Sequence, residues 1–172
     1  MASYPRLAGL MTGAIRDWIR VSDYLIGVWL DAYAWDGSAQ VVKLGTGGFQ
    51  YLFDLDAGRL IAAWGVSRGR HDGARDKARM AGHPLSDGPS YHRGHAIPHT
   101  LGGGTDINLV PQLGAVNIGP FRALERQAVA TPGAFYFTFW DYRLSGGSQR
   151  PSGVDQGLLI PGQPPQLRTH GN

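Results

Sequence analysis

Glycine and proline break this chain so often that its middle cannot be built from long helices. Gly (26) and Pro (11) make up about a fifth of the 172 residues, dispersed rather than repeated. Gly82, Pro84, Gly88 and Pro89 crowd one short stretch and rule out a long helix before His92. The chain must therefore fold as short elements joined by many turns and long loops.

Local patterns predict those elements. Residues 8–20 carry Leu10, Met11, Ile15, Trp18 and Ile19 at roughly helical spacing, so a short N-terminal helix is expected. Residues 23–34 are rich in Tyr, Ile, Val and Trp and read as a buried strand, with helix left open for so short a run. Asp36-Gly37 punctuates it. Residues 40–44 and 49–54 read as strands parted by glycines. Residues 60–66 return after the Asp56-Ala57-Gly58 turn signal, so 49–66 is expected to be a hairpin. Residues 93–98 read as a short strand, 101–105 as a flexible glycine loop, and 107–110 as a strand closed by Pro111. A helix is expected from near Asn117 to Pro132-Gly133, with Pro120 in its first turn and Phe121, Leu124 and Ala128 on its apolar face. Residues 135–142 give the strongest strand signal, and 157–160 a final strand. The tail from about 161 is expected to be extended and partly loose. Strands flank one clear helix without βαβ alternation, which predicts an α+β fold with a mixed or antiparallel central sheet, in a single domain over 1–172.

A hydrophobic fraction of 42% is enough to bury a core in a chain of this length. Cysteine is absent, so disulfides and thiolate chemistry are excluded while the compartment stays open. The apolar run 24–35 is too short to span a bilayer and carries Asp31. No signal peptide is visible, so the expectation is a protein cytoplasmic as synthesised, with non-classical export if it serves as a toxin. Charge is concentrated. Residues 66–79 hold Arg68, Arg70, Arg75, Lys77 and Arg79 against Asp72 and Asp76, as much net charge as the whole chain's +3. Such a run is either a solvated loop or a loop that faces phosphate.

Residues 92–125 concentrate the groups that can do chemistry. His92, His95 and His99 would share one face if helical and could then bind zinc, but Gly94 and Pro98 argue against a helix. In Arg93-Gly94-His95 the glycine lets the backbone turn beside both side chains. Arg93 offers a fork of donors for phosphate oxygens, and His95 is suited to take a proton from water near neutral pH. Asn117 and Glu125, eight apart on one helix, would lie roughly 80° apart around its axis. Either they meet a divalent ion together, or Asn117 is an N-cap and Glu125 an exposed helical acid.

Taken in order, Arg93-Gly94-His95, the glycine-rich turn, Ile107-Asn108-Leu109-Val110-Pro111-Gln112 and Asn117 through Glu125 resemble the DNA/RNA non-specific endonucleases, which belong to the ββα-metal (His-Me finger) nucleases. The resemblance covers about 35 residues strictly. It implies that His95 is the general base and that Asn117 is the one direct protein ligand of a Mg²⁺, with Glu125 supporting the ion's water shell. Mn²⁺ or another divalent ion could substitute. It implies that Arg93 lies against phosphate and that Arg70, in Ser67-Arg68-Gly69-Arg70, is the family's upstream arginine, with Arg68 and Arg126 as further substrate contacts. Two positions depart from the family pattern. His92 stands where an Asp is usual, and Val129 where a basic residue is usual, leaving Arg126 nearest to that contact. The implied activity is metal-dependent hydrolysis of DNA or RNA with little sequence specificity. Such domains are often toxins held by an acidic immunity protein. The alternative is a nuclease-like module that binds nucleic acid or protein without cutting.

Overall fold

The computed structural model describes residues 2–12, 17–33, 40–82 and 87–172. Six strands form one sheet in the order β1-β2-β3-β6-β7-β8, and every pairing in it is antiparallel. These strands are β1 (Val41–Thr46), β2 (Phe49–Asp54), β3 (Arg59–Val66), β6 (Phe135–Asp141), β7 (Gly153–Leu159) and β8 (Gln166–Gly171). The α+β class and the 49–66 hairpin expected from the sequence are both present. A separate two-stranded sheet pairs β4 (Tyr91–His95) with β5 (Leu109–Leu113). It is followed by two short helices, α4 (Gly114–Ile118) and α5 (Phe121–Ala130).

The central strands read as nearly continuous apolar runs because both of their faces are covered. All of β6 and β7 is buried, as is β3 up to Gly65. On one face lies α2 (Trp18–Tyr33), which buries Val21, Leu25, Trp29 and Tyr33 at successive i,i+4 positions. The Trp29 ring sits 5.3 Å from Trp64 and 5.4 Å from Phe137 between centroids, so one large side chain locks the helix across two strands. The other face carries α5, which buries Phe121, Leu124 and Ala128 as its periodicity predicts. The buried Gln156 of β7 donates from its Nε2 to the carbonyl of Phe121 at 2.9 Å, fixing where α5 begins.

Four expectations need correction. Residues 23–33 belong to helix α2 and not to a strand. Their β-branched and aromatic content misled, while the i,i+4 spacing from Val21 to Tyr33 decides. The N-terminal helix expected over 8–20 is instead α1 (Leu7–Leu10) followed by the start of α2, and Ile15 lies outside the described residues, as do Asp36-Gly37 and Pro84. Pro111 does not close β5 but sits inside it, opposite Arg93, which a two-stranded sheet tolerates because each strand is an edge. The chain after 161 is not loose throughout: β8 pairs with β7, and Asn172 bonds back to Pro111, Leu113 and Pro151. No described helix is long and apolar enough to cross a membrane.

Candidate active site

A cleft of about 510 Å³ lies between the β4–β5 hairpin, α5 and the basic loop that follows β3. His95, Asn117 and Glu125 all line it, together with Arg70, Arg93 and Arg126. Six of the seven side chains singled out in the sequence thus reach one cavity. Arg68 does not: it is exposed and packs its guanidinium against Gly48 in the β1–β2 turn.

The hairpin positions His95 at the end of β4, opposite Leu109. Gly94 is required here for a different reason from a turn. A Cβ on Gly94 would come within 2.7 Å of the Gln112 Cβ, so the glycine lets the Gln112 side chain cross the strand. Beyond β4 the chain is stapled by Asn108, which is fully buried. Its Oδ1 accepts from the Ile97 amide at 2.7 Å, and its Nδ2 donates to the carbonyls of Ile97 at 2.8 Å and Gly104 at 2.9 Å. That staple fixes the turn carrying His99, whose ring stands edge-on to His95 at 6.1 Å. The three-histidine zinc arrangement does not form. Among the described residues no three His, Cys, Asp or Glu side chains converge to hold a metal.

Asn117 and Glu125 sit on separate helices. The chain breaks at Gly119, with φ −101° and ψ −114°, and Pro120 starts α5 with φ −65°. Asn117 is therefore the fourth residue of α4, neither an N-cap nor the opening residue of the long helix. Its Nδ2 lies 3.3 Å from the His92 Nδ1, and His92 packs on Gly114. Among the described residues the Asn117 Oδ1 has no hydrogen-bond partner. His92, standing where the resemblance expects Asp, thus turns the amide so that its oxygen stays free.

The basic loop is anchored by Ser67, whose hydroxyl donates to the Ala128 carbonyl at 2.7 Å and accepts from the Gly69 amide at 3.1 Å. Gly69, at φ +88°, then turns the chain so that Arg70 reaches the cleft and Arg68 does not. Arg70 pairs with Asp72 at 2.8 Å, with both side chains well exposed. Arg93 donates to the Arg79 carbonyl at 2.6 Å. In this state Arg93 braces the short helix α3 (Lys77–Met80), and Arg79 itself pairs with Asp76 and Asp106.

Burial and charge set the protonation states. Burial lowers the His95 pKa to about 4, and the charges of Arg75 and His99 act in the same direction. The ring is neutral at neutral pH, and its buried Nε2 has no hydrogen-bond partner. Burial pushes the Glu125 carboxyl up to about 7 against the pull of Arg122, Arg75 and Arg126. Glu125, Asn117 and His95 line the same cleft, and a raised carboxyl among arginines together with an unpartnered buried imidazole nitrogen is the kind of perturbation that functional sites carry.

Residues 56–133 match the DNA/RNA non-specific endonuclease family. The matched stretch runs from the β2–β3 turn through α5 and contains every cleft residue named above. It leaves α2 and the strands β6 to β8 outside. No curated protein matches the chain. The family match supports a nuclease hydrolase acting on nucleic acid. Sequence reasoning missed Arg75, Arg122 and His99 as lining residues and Asn108 as the staple. The only early signal for Arg75 was its place in the charge run at 66–79.

Proposed function

We propose that this cleft hydrolyses phosphodiester bonds in DNA, RNA or both with little sequence preference, working with one Mg²⁺. The observation that carries the reading is convergence: His95, Asn117 and Glu125 come from three separate elements and open onto a cavity that five arginines also line. The donor set suits a hard, hydrated ion. Asn117 and Glu125 offer oxygen only, and so few protein ligands leave most positions to water, which Mg²⁺ prefers. Mn²⁺ would serve in its place. Bound there, the ion would supply Lewis-acid stabilisation of charge developing on the phosphate and the leaving oxygen.

The chain's own residues account for the rest. His95 is in the neutral form that accepts a proton, so it can take one from the attacking water. Arg70 is tied to Asp72 only by an exposed pair, which costs little to exchange for a phosphate oxygen. Arg122 and Arg126 flank Glu125 on α5 and add positive field along the backbone path. Contacts of this kind recognise phosphate and not base edges, which makes cleavage tolerant of sequence.

The test is digestion of supercoiled plasmid, single-stranded DNA and RNA side by side, with Mg²⁺ and then with EDTA. Degradation that needs the ion and is lost in His95→Ala is the expected outcome. A folded protein that degrades none of the three substrates refutes the reading and leaves a non-cutting binding module.

A further inference from the structure

Within the nuclease reading, on which this inference rests, we propose that Arg75 is a substrate-binding residue that grips backbone phosphate from the wall facing α5. Of the arginines singled out from the sequence, Arg70 and Arg93 are both engaged in this structure, with Asp72 and the Arg79 carbonyl respectively. Arg122 and Arg126 stand on α5. Arg75 lines the same cleft from the basic loop and forms no ion pair among the described residues.

Its placement is built. The loop is tied down by the His71 amide, which donates to the Thr100 carbonyl at 2.8 Å. The His71 and His99 rings meet edge-on at 5.8 Å. His99 also bonds to the Ala74 backbone, next to Arg75 itself. Three contacts therefore hold this loop against the turn that Asn108 staples. Arg75 acts electrostatically on both sides of the cavity, on His95 and on Glu125. A guanidinium that faces a base and an acid, with no carboxylate paired to it, is arranged to meet an anion that arrives from outside.

The prediction concerns binding and can be read without turnover. In a His95→Ala background, anisotropy of a short fluorescein-labelled DNA duplex gives affinity as a function of KCl. Each phosphate contact contributes a slope of about 0.9 in log affinity against log salt. Adding Arg75→Ala should weaken binding and make that slope shallower by about 0.9, and Arg75→Lys should restore most of it. Arg68→Ala, which removes the same charge outside the cleft, should change the slope much less. Arg75 is exposed, so matching thermal melts will show that the variants fold. An unchanged slope in Arg75→Ala, or an equal loss in Arg68→Ala, overturns the assignment while Mg²⁺-dependent digestion by the wild type preserves the nuclease reading. No duplex binding by the His95→Ala protein, together with no digestion by the wild type, overturns both.

Discussion

Replacing Glu125 with Gln should stabilise the metal-free protein while weakening its hold on Mg²⁺. Burial opposes the ionisation of Glu125, lifting its carboxyl from 4.5 to about 7. Each pKa unit corresponds to 1.36 kcal/mol, so full ionisation of such a group costs roughly 3 kcal/mol. The side chain is only partly buried, and solvent screening reduces this to about 1–2 kcal/mol. For a domain of this size that is a Tm increase of about 3–6 °C in Glu125→Gln. The sign fixes the pH window. A raised carboxyl contributes stability that is fully present below about 4.5 and is lost as pH rises through about 7. The variant should therefore melt with the wild type near pH 4.5 and above it at pH 8. Thermal melts in EDTA across that range measure the gap. Saturating Mg²⁺ should narrow or reverse it, since ligand binding stabilises the wild type by about 3 kcal/mol at a hundredfold excess over Kd. A variant that melts at or below the wild type at pH 8 in EDTA, or a gap that ignores pH, refutes the reasoning.

Three further outcomes are expected. His95→Ala should lower kcat by about 10²–10⁴ while the protein still folds, because the half-buried ring leaves no hydrogen-bond partner of its Nε2 unsatisfied; single-turnover plasmid nicking and a melt decide this together. His92→Ala should cost about tenfold or more in Mg²⁺ affinity, because the Asn117 amide loses the group that orients it, and the readout is the Mg²⁺ concentration that gives half the maximal Tm shift. Asn108→Ala should destabilise the fold by about 2–4 kcal/mol in urea denaturation, since it strands an amide and two carbonyls in a buried turn.

Much of this was legible in the sequence, but unevenly. The apolar face of α5 announces itself through its helical periodicity, and β6 through a run of aromatic residues buried on both faces. The cleft residues from His95 to Glu125 were legible as spaced motifs. The path between Asn117 and Glu125 reads as one helix, although Gly119 before Pro120 is itself a local break that ends α4 there. Helix α2 was obscured by its β-prone composition, and β8 by its polarity. An edge strand such as Gln166–Gly171 is held by pairing with β7 more than by burial, so it leaves little hydrophobic trace. Arg75 has only its place in the charge run at 66–79 as a local signal. Its meaning comes from contacts made by His71 and His99, which lie four residues before it and twenty-four after.

The interruption between α4 and α5 gives the chain a built-in offset. An unbroken helix would set residues 117 and 125 about 12 Å apart along one axis, each aimed by the same rod. Two rods joined at Gly119-Pro120 can be angled independently, so the spacing of the carboxamide and the carboxylate becomes adjustable by changing the joint alone. Sequence drift at those two positions would retune the distance between them without touching either chemical group.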